Sequence, residues 1–398
     1  MTLNRAPLRI GVLGLGRAFT LMVPTFSRDP RVQLVAAYDP QKAACAAFTR
    51  EFGGVAHASA QAVCADPAVE WVYVATPHAM HAEHVQLAAS HSKHVLVEKP
   101  MALGLEDCTR MIDDCARAGT QLLVGHSHSF NAPVRLARNL IASGSLGAVR
   151  LVHAMNFTDF LYRPRRPEEL DTARGGGVVF SQAAHQVDIV RMLAGGQARS
   201  VYARTGAWDP ARPTEGAYTA LIDFAGGAVA NLTYSGYGRY DTDVIMDGIG
   251  EMGRPKAPGT HQATRQRLAA ATDEAAEAAQ KAQRNFGGSA YQGDDGRVPD
   301  AYQHFGPVVV CCEHADLRLT PTGVEVHDLA GLRIEALPAP TVPRSEVIDE
   351  LWAVAREGQA PVHSGAWSRA TLEVCLAILS SQRQGGPIPL HQQVALAA

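Results

Sequence analysis

The stretch "RIGVLGLG", Arg9–Gly16, is a short apolar run that breaks off in two glycines one residue apart. An apolar run bounded by glycine reads as a buried strand, and the helical spacing that follows from Arg17 reads as a crossover. Gly14 and Gly16 then let the backbone turn sharply and approach a pyrophosphate at the positive N-terminus of that helix. The third glycine of such a fingerprint is replaced by Phe19, with Ala18 one residue off. A chain with 36 glycines in 398 residues holds about three Gly-x-Gly triplets by chance, so context carries the reading. That context includes Asp39, which ends the second apolar run 23 residues after Gly16. A carboxylate there accepts hydrogen bonds from a ribose diol and repels a 2′-phosphate, which favours NAD over NADP. The same side chain also suits a helix N-cap before Pro40.

Outward from this stretch, the first third of the chain alternates. Runs at Arg9–Leu13, Val32–Tyr38, Trp71–Ala75, His94–Val97 and Gln121–Val124 are separated by Ala-rich segments of helical spacing. This βαβα order predicts an α/β fold whose N-terminal part, residues 1–126, is a Rossmann domain with a doubly wound parallel sheet. After His126, runs at 149–157, 218–224, 228–234, 308–312, 317–319 and 324–326 come with turn residues between them. They predict a C-terminal α+β domain over 127–398 with a large open, mainly antiparallel sheet. Closing helices are expected over about 344–356 and 366–384. A polar, Ala-rich insertion at about 250–303 carries one expected helix near 262–285, and a lid, an oligomer contact or a loop all remain open for it.

Ligands of an open parallel sheet bind beyond the carboxyl ends of its strands. Thr76-Pro77-His78 follow one such end, Glu98-Lys99-Pro100 the next, and His126-Ser127-His128 the last. An ammonium at the mouth of a buried strand is placed to hold a substrate hydroxyl and favour the alkoxide that develops as hydride leaves the same carbon. Glu98 and Pro100 orient it. His78, His81 and His84, at three-residue steps, spread around a helix and do not converge on one ion, so no metal is expected.

Composition bounds the alternatives. A formal charge of -3, from 36 basic and 39 acidic residues, leaves no footprint for nucleic acid or a polybasic membrane contact. The opening "MTLNRAPLRI" lacks a signal-peptide core and no apolar segment reaches bilayer length, which predicts a cytoplasmic protein. Seven irregularly spaced cysteines read as reduced thiols.

Taken together, these residues resemble a known family. Gly14-Leu15-Gly16, Asp39-Pro40, Ala75-Thr76-Pro77 with His81, Glu98-Lys99-Pro100, and Gly175-Gly176-Gly177 followed by His185 and Asp188 are similar to the glucose-fructose oxidoreductase, inositol dehydrogenase and MocA (Gfo/Idh/MocA) family. The resemblance implies NAD bound by Gly14, Gly16, Arg17, Ala18, Phe19, Asp39, Thr76, Pro77, His78, His81, Glu98 and Lys99. It implies Lys99 and His185 as catalytic residues, hydride exchange with a carbinol, and a homodimer or homotetramer formed through the C-terminal sheet. Two positions depart from the pattern: Ser181 stands where an aspartate usually precedes the histidine by four residues, and His78 where asparagine is common.

"GLGRAFTLMVPTF", "GHSHSF", "FSQAAHQVDIVRML" and "YQHFGPVVVCCEHADLRL" are similar to the phthalate 4,5-cis-dihydrodiol dehydrogenase branch of that family. This implies oxidation of one carbinol of a carboxylated cyclohexadiene diol, after which the ketone tautomerises to a catechol. The residues then expected to face substrate are His126, His128, Arg163, Arg165, Arg166, Ser181, His185, Tyr302 and His304, since guanidinium groups bind carboxylates in paired fashion. A sugar or inositol-type polyol dehydrogenase and an NAD-binding regulatory protein without turnover are the alternatives.

Overall fold

The computed structural model of the chain describes residues 6–271 and 273–396. It divides into two compact units. The first runs up to His126 and also takes Ala279–Arg297 and Val342–Arg369; the second holds Ser127–Ala278, Val298–Thr341 and the chain from Ala370. The two later segments, expected in the C-terminal domain, belong to the first unit.

In the first unit β1 (Leu8–Leu13), α1 (Arg17–Arg28), β2 (Val32–Tyr38), α2 (Lys42–Phe52), β3 (Val55–Ala56), α3 (Ala60–Ala65), β4 (Trp71–Val74), α4 (His81–Ser90), β5 (His94–Val97), α5 (Leu105–Ala118) and β6 (Leu122–Val124) follow one another. The strands form a six-stranded sheet of order β3-β2-β1-β4-β5-β6, with parallel pairing such as Ile10 with Trp71 and Trp71 with His94. This is the strand order of a dinucleotide-binding fold. All four residues of β4, "WVYV", are buried, as in a parallel sheet covered on both faces.

Phe19 is wholly buried, with ring centroids 6.3 Å from Phe26, 6.4 Å from Phe48, 6.1 Å from Phe52 and 5.0 Å from Phe286. Phe286 arrives on the returning segment 279–297 and meets Phe19 edge to face, a favoured aromatic arrangement.

The second unit contains α6 (Ala132–Ala142), β7 (Val149–Phe157), α7 (Ala184–Leu193), β8 (Ala198–Gly206), β9 (Ala217–Phe224) and β10 (Val229–Ser235). The insertion forms α8 (Thr260–Leu268) and α9 (Glu274–Gln283) where one helix was expected. Strands β11 (Val308–Cys312), β12 (Asp316–Thr320), β13 (Gly323–Asp328) and β14 (Gly331–Ala336) come next, and α10 (Ser345–Glu357), α11 (Gly365–Gln384) and β15 (Ile388–Pro389) close the chain.

Nine strands form one sheet of order β14-β13-β12-β11-β7-β10-β9-β8-β15. Its β7–β10 pair is parallel and its other pairs are antiparallel. Along β9 buried and exposed residues alternate, so one face meets the core and the other meets water. Among the described residues no helix is long and apolar enough to cross a membrane. All seven cysteines are free thiols.

Candidate active site

The glycine turn after β1 is held by main chain. The Gly14 amide donates to the Tyr38 carbonyl at 2.9 Å, and its φ is +91°. A Cβ at Gly14 would stand 2.8 Å from the Ala75 carbonyl oxygen, so both conformation and space demand glycine. Gly16 differs: a Cβ there meets nothing within 4 Å. The polypeptide itself does not require that glycine, and the open space lies at the N-cap of α1, whose first turn receives no side-chain cap. A diphosphate fits this arrangement, since uncapped N–H groups and the helix dipole attract anions.

Asp39 ties the glycine turn to the loop after β2, and Gln41, not Asp39, stands at the N-cap of α2. Its Oδ2 accepts from the Leu15 amide at 2.7 Å and its Oδ1 from the Gln41 amide at 2.8 Å. Each carboxylate oxygen retains a second lone pair for a ribose hydroxyl. Arg17 is exposed on the first turn of α1 and Ala18 is half-buried. Phe19, expected among the coenzyme contacts, is a core residue: the fingerprint glycine is lost because an aromatic cluster fills its place.

Two further loops of this unit are tied to each other. His81, also expected at the coenzyme, is fully buried. Its Nε2 lies 2.9 Å from the Thr76 carbonyl, and its Nδ1 lies 3.1 and 3.2 Å from the Pro100 and Met101 carbonyls. It therefore joins the loop after β4 to the loop after β5. Burial pushes its pKa down to about 4, against the pull of these carbonyls. Thr76 pairs through Oγ1 with His84 at 3.0 Å, Pro77 is exposed, and the half-buried His78 ring stands 5.7 Å from that of His81.

Lys99 is half-buried at the end of β5. Beside it the buried Glu98 carboxylate accepts the Tyr73 hydroxyl at 2.5 Å. Burial raises the Glu98 pKa, while Tyr73, the Lys99 and Arg344 charges and the His126 amide oppose that rise. His126, expected to face substrate, thus uses its main chain to hold Glu98.

In the second unit, Gly175-Gly176-Gly177 lead into the helix that carries His185. A side chain at Gly177, φ +79°, would overlap Glu215. Glu215 is buried and accepts from the Val179 amide at 3.1 Å, which satisfies one of the helix's first N–H groups. Residues Val179–Ala183 form a π-helical turn, a feature frequent at functional sites. Ser181 lies in that turn and is half-buried.

His185 follows on α7, buried, with its ring 4.7 Å from His128 and 4.9 Å from Phe305. The His128 Nε2 lies 3.4 Å from Glu251, whose other oxygen is 3.8 Å from Arg163. Burial acts to raise the Glu251 pKa, but the His128 hydrogen bond and the Arg163, His128 and His304 charges outweigh it and hold the carboxyl below its usual range. His128, Arg163 and His185 therefore come together.

Other expected substrate residues are engaged by contacts of their own. Arg165 lies 3.6 Å over the Phe160 ring, donates to the Phe160 carbonyl at 2.8 Å and faces Glu169. Arg166 pairs with Glu168 at 3.0 Å. Their own loop supplies the acceptors for both guanidinium groups, with the Arg165 side chain 11% exposed and the Arg166 side chain 41% exposed. His304 is committed at both nitrogens: the Gly306 amide donates to Nδ1 at 3.0 Å, and Nε2 lies 2.9 Å from the Ile249 carbonyl. Tyr302 is half-buried, its amide on the Pro321 carbonyl at 2.9 Å. Asp188 anchors α7, accepting from Ser129 at 2.5 Å and from Thr371 at 3.0 Å.

Glu251, Asp159, Asn131 and Glu215 were not foreseen. Only Glu215 leaves a local trace, in the glycines it abuts. Among the described residues no cluster of three or more His, Cys, Asp or Glu side chains is placed to hold a metal ion.

A parallel sheet of this order, a glycine turn ending in open space, and a carboxylate at the end of β2 are the features of a dinucleotide-binding Rossmann fold. Residues 8–126 match the oxidoreductase family NAD-binding Rossmann fold and residues 134–254 the Gfo/Idh/MocA C-terminal domain. The chain belongs to the Gfo/Idh/MocA family of NAD(P)-dependent oxidoreductases. It is 47% identical over 373 residues, 94% of both chains, to 1-carboxy-3-chloro-3,4-dihydroxycyclohexa-1,5-diene dehydrogenase of Comamonas testosteroni. The crystal structure of a dehydrogenase from Bordetella bronchiseptica RB50 superposes with a TM-score of 0.90 at 38% identity, covering 96% of this chain and 100% of that one. Levoglucosan dehydrogenase in complex with NADH and levoglucosan shares the fold, with a TM-score of 0.73 at 17% identity over 96% of this chain and 99% of that one.

Proposed function

We propose that this chain oxidises a cis-dihydrodiol bearing ring carboxylate, of the phthalate type, with NAD. The observation that carries the reading is the whole-length likeness to a dehydrogenase whose named substrate is a carboxylated dihydroxycyclohexadiene. Bound nicotinamide supplies a hydride acceptor. Lys99 binds the carbinol oxygen and takes its proton, an effect of the kind that contributes about 10²–10⁴ in rate. Glu98, fixed by Tyr73, sets the charge beside that amine. Arg163 and His185 are the second unit's polar groups for the ring substituents. The ketone tautomerises to an aromatic diol, and the aromaticity gained draws the reaction forward. The Asp39 carboxylate supports NAD over NADP, because it repels a 2′-phosphate.

A spectrophotometric panel of cis-dihydrodiols, with and without carboxylates, assayed with NAD and NADP, tests this. The carboxylated diols with NAD should give the fastest NADH formation; faster turnover of inositol or an aldose would replace the reading with a polyol dehydrogenase. A homo-oligomer built on the open sheet face completes the proposal, supported by the exposed cross-strand neighbours Tyr202 and Leu221. A monomer in sedimentation would remove that part.

A further inference from the structure

The position four residues before His185 is Ser181, so the usual carboxylate is missing from the helix that carries the histidine. What faces His185 instead is an amide: the His128 N–H points at Nδ1 of His185, 3.4 Å away. An imidazole nitrogen that accepts an N–H presents a lone pair, so the neutral ring carries its proton on Nε2.

The amide is held in place by a chain of partners within the second unit. Asn131 Nδ2 donates to Nδ1 of His128 at 2.9 Å and to the Gln303 carbonyl at 2.8 Å. The proton of neutral His128 therefore sits on Nε2, facing Glu251 at 3.4 Å. Glu251 in turn faces Arg163, whose Nε donates to Asp159 at 2.7 Å. The His128 and His185 rings meet at 70°, and Phe305 packs against both, 5.1 and 4.9 Å away. His304, with Nδ1 on the Gly306 amide and Nε2 on the Ile249 carbonyl, also lies near Glu251.

We infer that His185 is a hydrogen-bond donor to a substrate oxygen through Nε2 and not the base that takes the carbinol proton, with His128 as the positioning residue that fixes its tautomer. This deepens the proposed dehydrogenase reading and rests on it for the identity of the oxygen. The proton balance is then simple. The carbinol O–H proton passes to the neutral Lys99 amine, the C–H hydride passes to nicotinamide, and His185 keeps its proton throughout. An oxygen acceptor on the substrate, a ring carboxylate or second hydroxyl, suits such a donor; an aspartate at 181 would draw the imidazole toward the cationic form.

Long-range proton–nitrogen correlation spectra of the full chain, labelled with ¹⁵N at histidine and assigned with a His185→Gln variant, read the tautomer without substrate or coenzyme. A protonated Nε2 and an unprotonated Nδ1 near neutral pH are expected; a protonated Nδ1 overturns the inference. Kinetics give the second arm. His185→Gln keeps an N–H near Nε2 without basicity, so its turnover should stay within about tenfold of wild type with an unchanged pH profile, while His185→Ala falls further. A Gln variant as slow as Ala, with the acid limb of the profile gone, also overturns it. Should wild type turn over no dihydrodiol at all, the activity reading fails while the spectra still decide the tautomer.

Discussion

The turn at Gly14–Gly16 and the cluster around His128 are built in opposite ways. The turn is set by main chain: its amides reach Tyr38 and Asp39 at the end of the neighbouring strand, and its close neighbour is the Ala75 carbonyl. The cluster is set mainly by side chains of residues 128, 131, 163, 185 and 251, with the Gln303 carbonyl as one acceptor, brought together only by the fold. A site made of backbone needs particular residue types in one short stretch. A site made of side-chain partners can draw each from anywhere in the chain.

That contrast can be broken by substitution. Phe19→Gly, which restores the missing fingerprint glycine, should not improve coenzyme binding. It should instead cost the first unit about 4 kcal/mol, because it empties an aromatic core and puts glycine inside a helix; an unchanged denaturant midpoint would contradict the core assignment.

Acid should reach the backbone-set region through His81. Its folded-state pKa, about 4, lies below the ordinary 6.5. A lowered base favours the neutral folded state, so its contribution is present above pH 6.5 and lost as pH falls toward about 4. The loss approaches about 3 kcal/mol, from 1.36 kcal/mol per unit. A stability–pH curve with no slope in that window, or the same slope in His81→Gln, would refute the tie between the two loops.

In the side-chain cluster, Glu251→Gln leaves His128 without its carboxylate and Arg163 with Asp159 alone. Glu251 is held below its ordinary 4.5, so its contribution is present above that pH and lost as pH falls through its folded value. With the side chain 27% exposed, removal at neutral pH should cost about 2 kcal/mol and flatten the acid limb of stability. A variant as stable as wild type, with the same acid limb, would show the cluster is not coupled through Glu251.

What was legible in the sequence follows the same division. β2, β5, β7 and β11 lie where the apolar runs put them, because their buried faces leave an apolar pattern. β14, "GLRIEA", was missed since it is an almost wholly exposed edge strand with no burial to mark it. β8, "ARSVYARTG", does bury Ala198, Val201 and Ala203, but with polar residues between them these leave no continuous apolar run. In the site, Gly14, Gly16, Asp39 and Lys99 stood out from local spacing. Glu251 lies between glycines in a polar insertion and carries no local signal; only its contacts reveal it. Phe19 misled because its partner Phe286 lies 267 residues away. Arg165 and Arg166 looked like anion ligands because the charge shows in sequence, while the acceptors that engage them do not.

The central claim is that the Lys99 amine handles the carbinol proton while the Gly14–Asp39 region holds the coenzyme. Lys99→Met, assayed for NAD affinity by calorimetry and for NADH formation from a carboxylated cis-dihydrodiol, tests it most directly. NAD affinity within about twofold of wild type and turnover reduced by about 10³ or more are expected. Turnover at the wild-type rate, with NAD still bound, would contradict it.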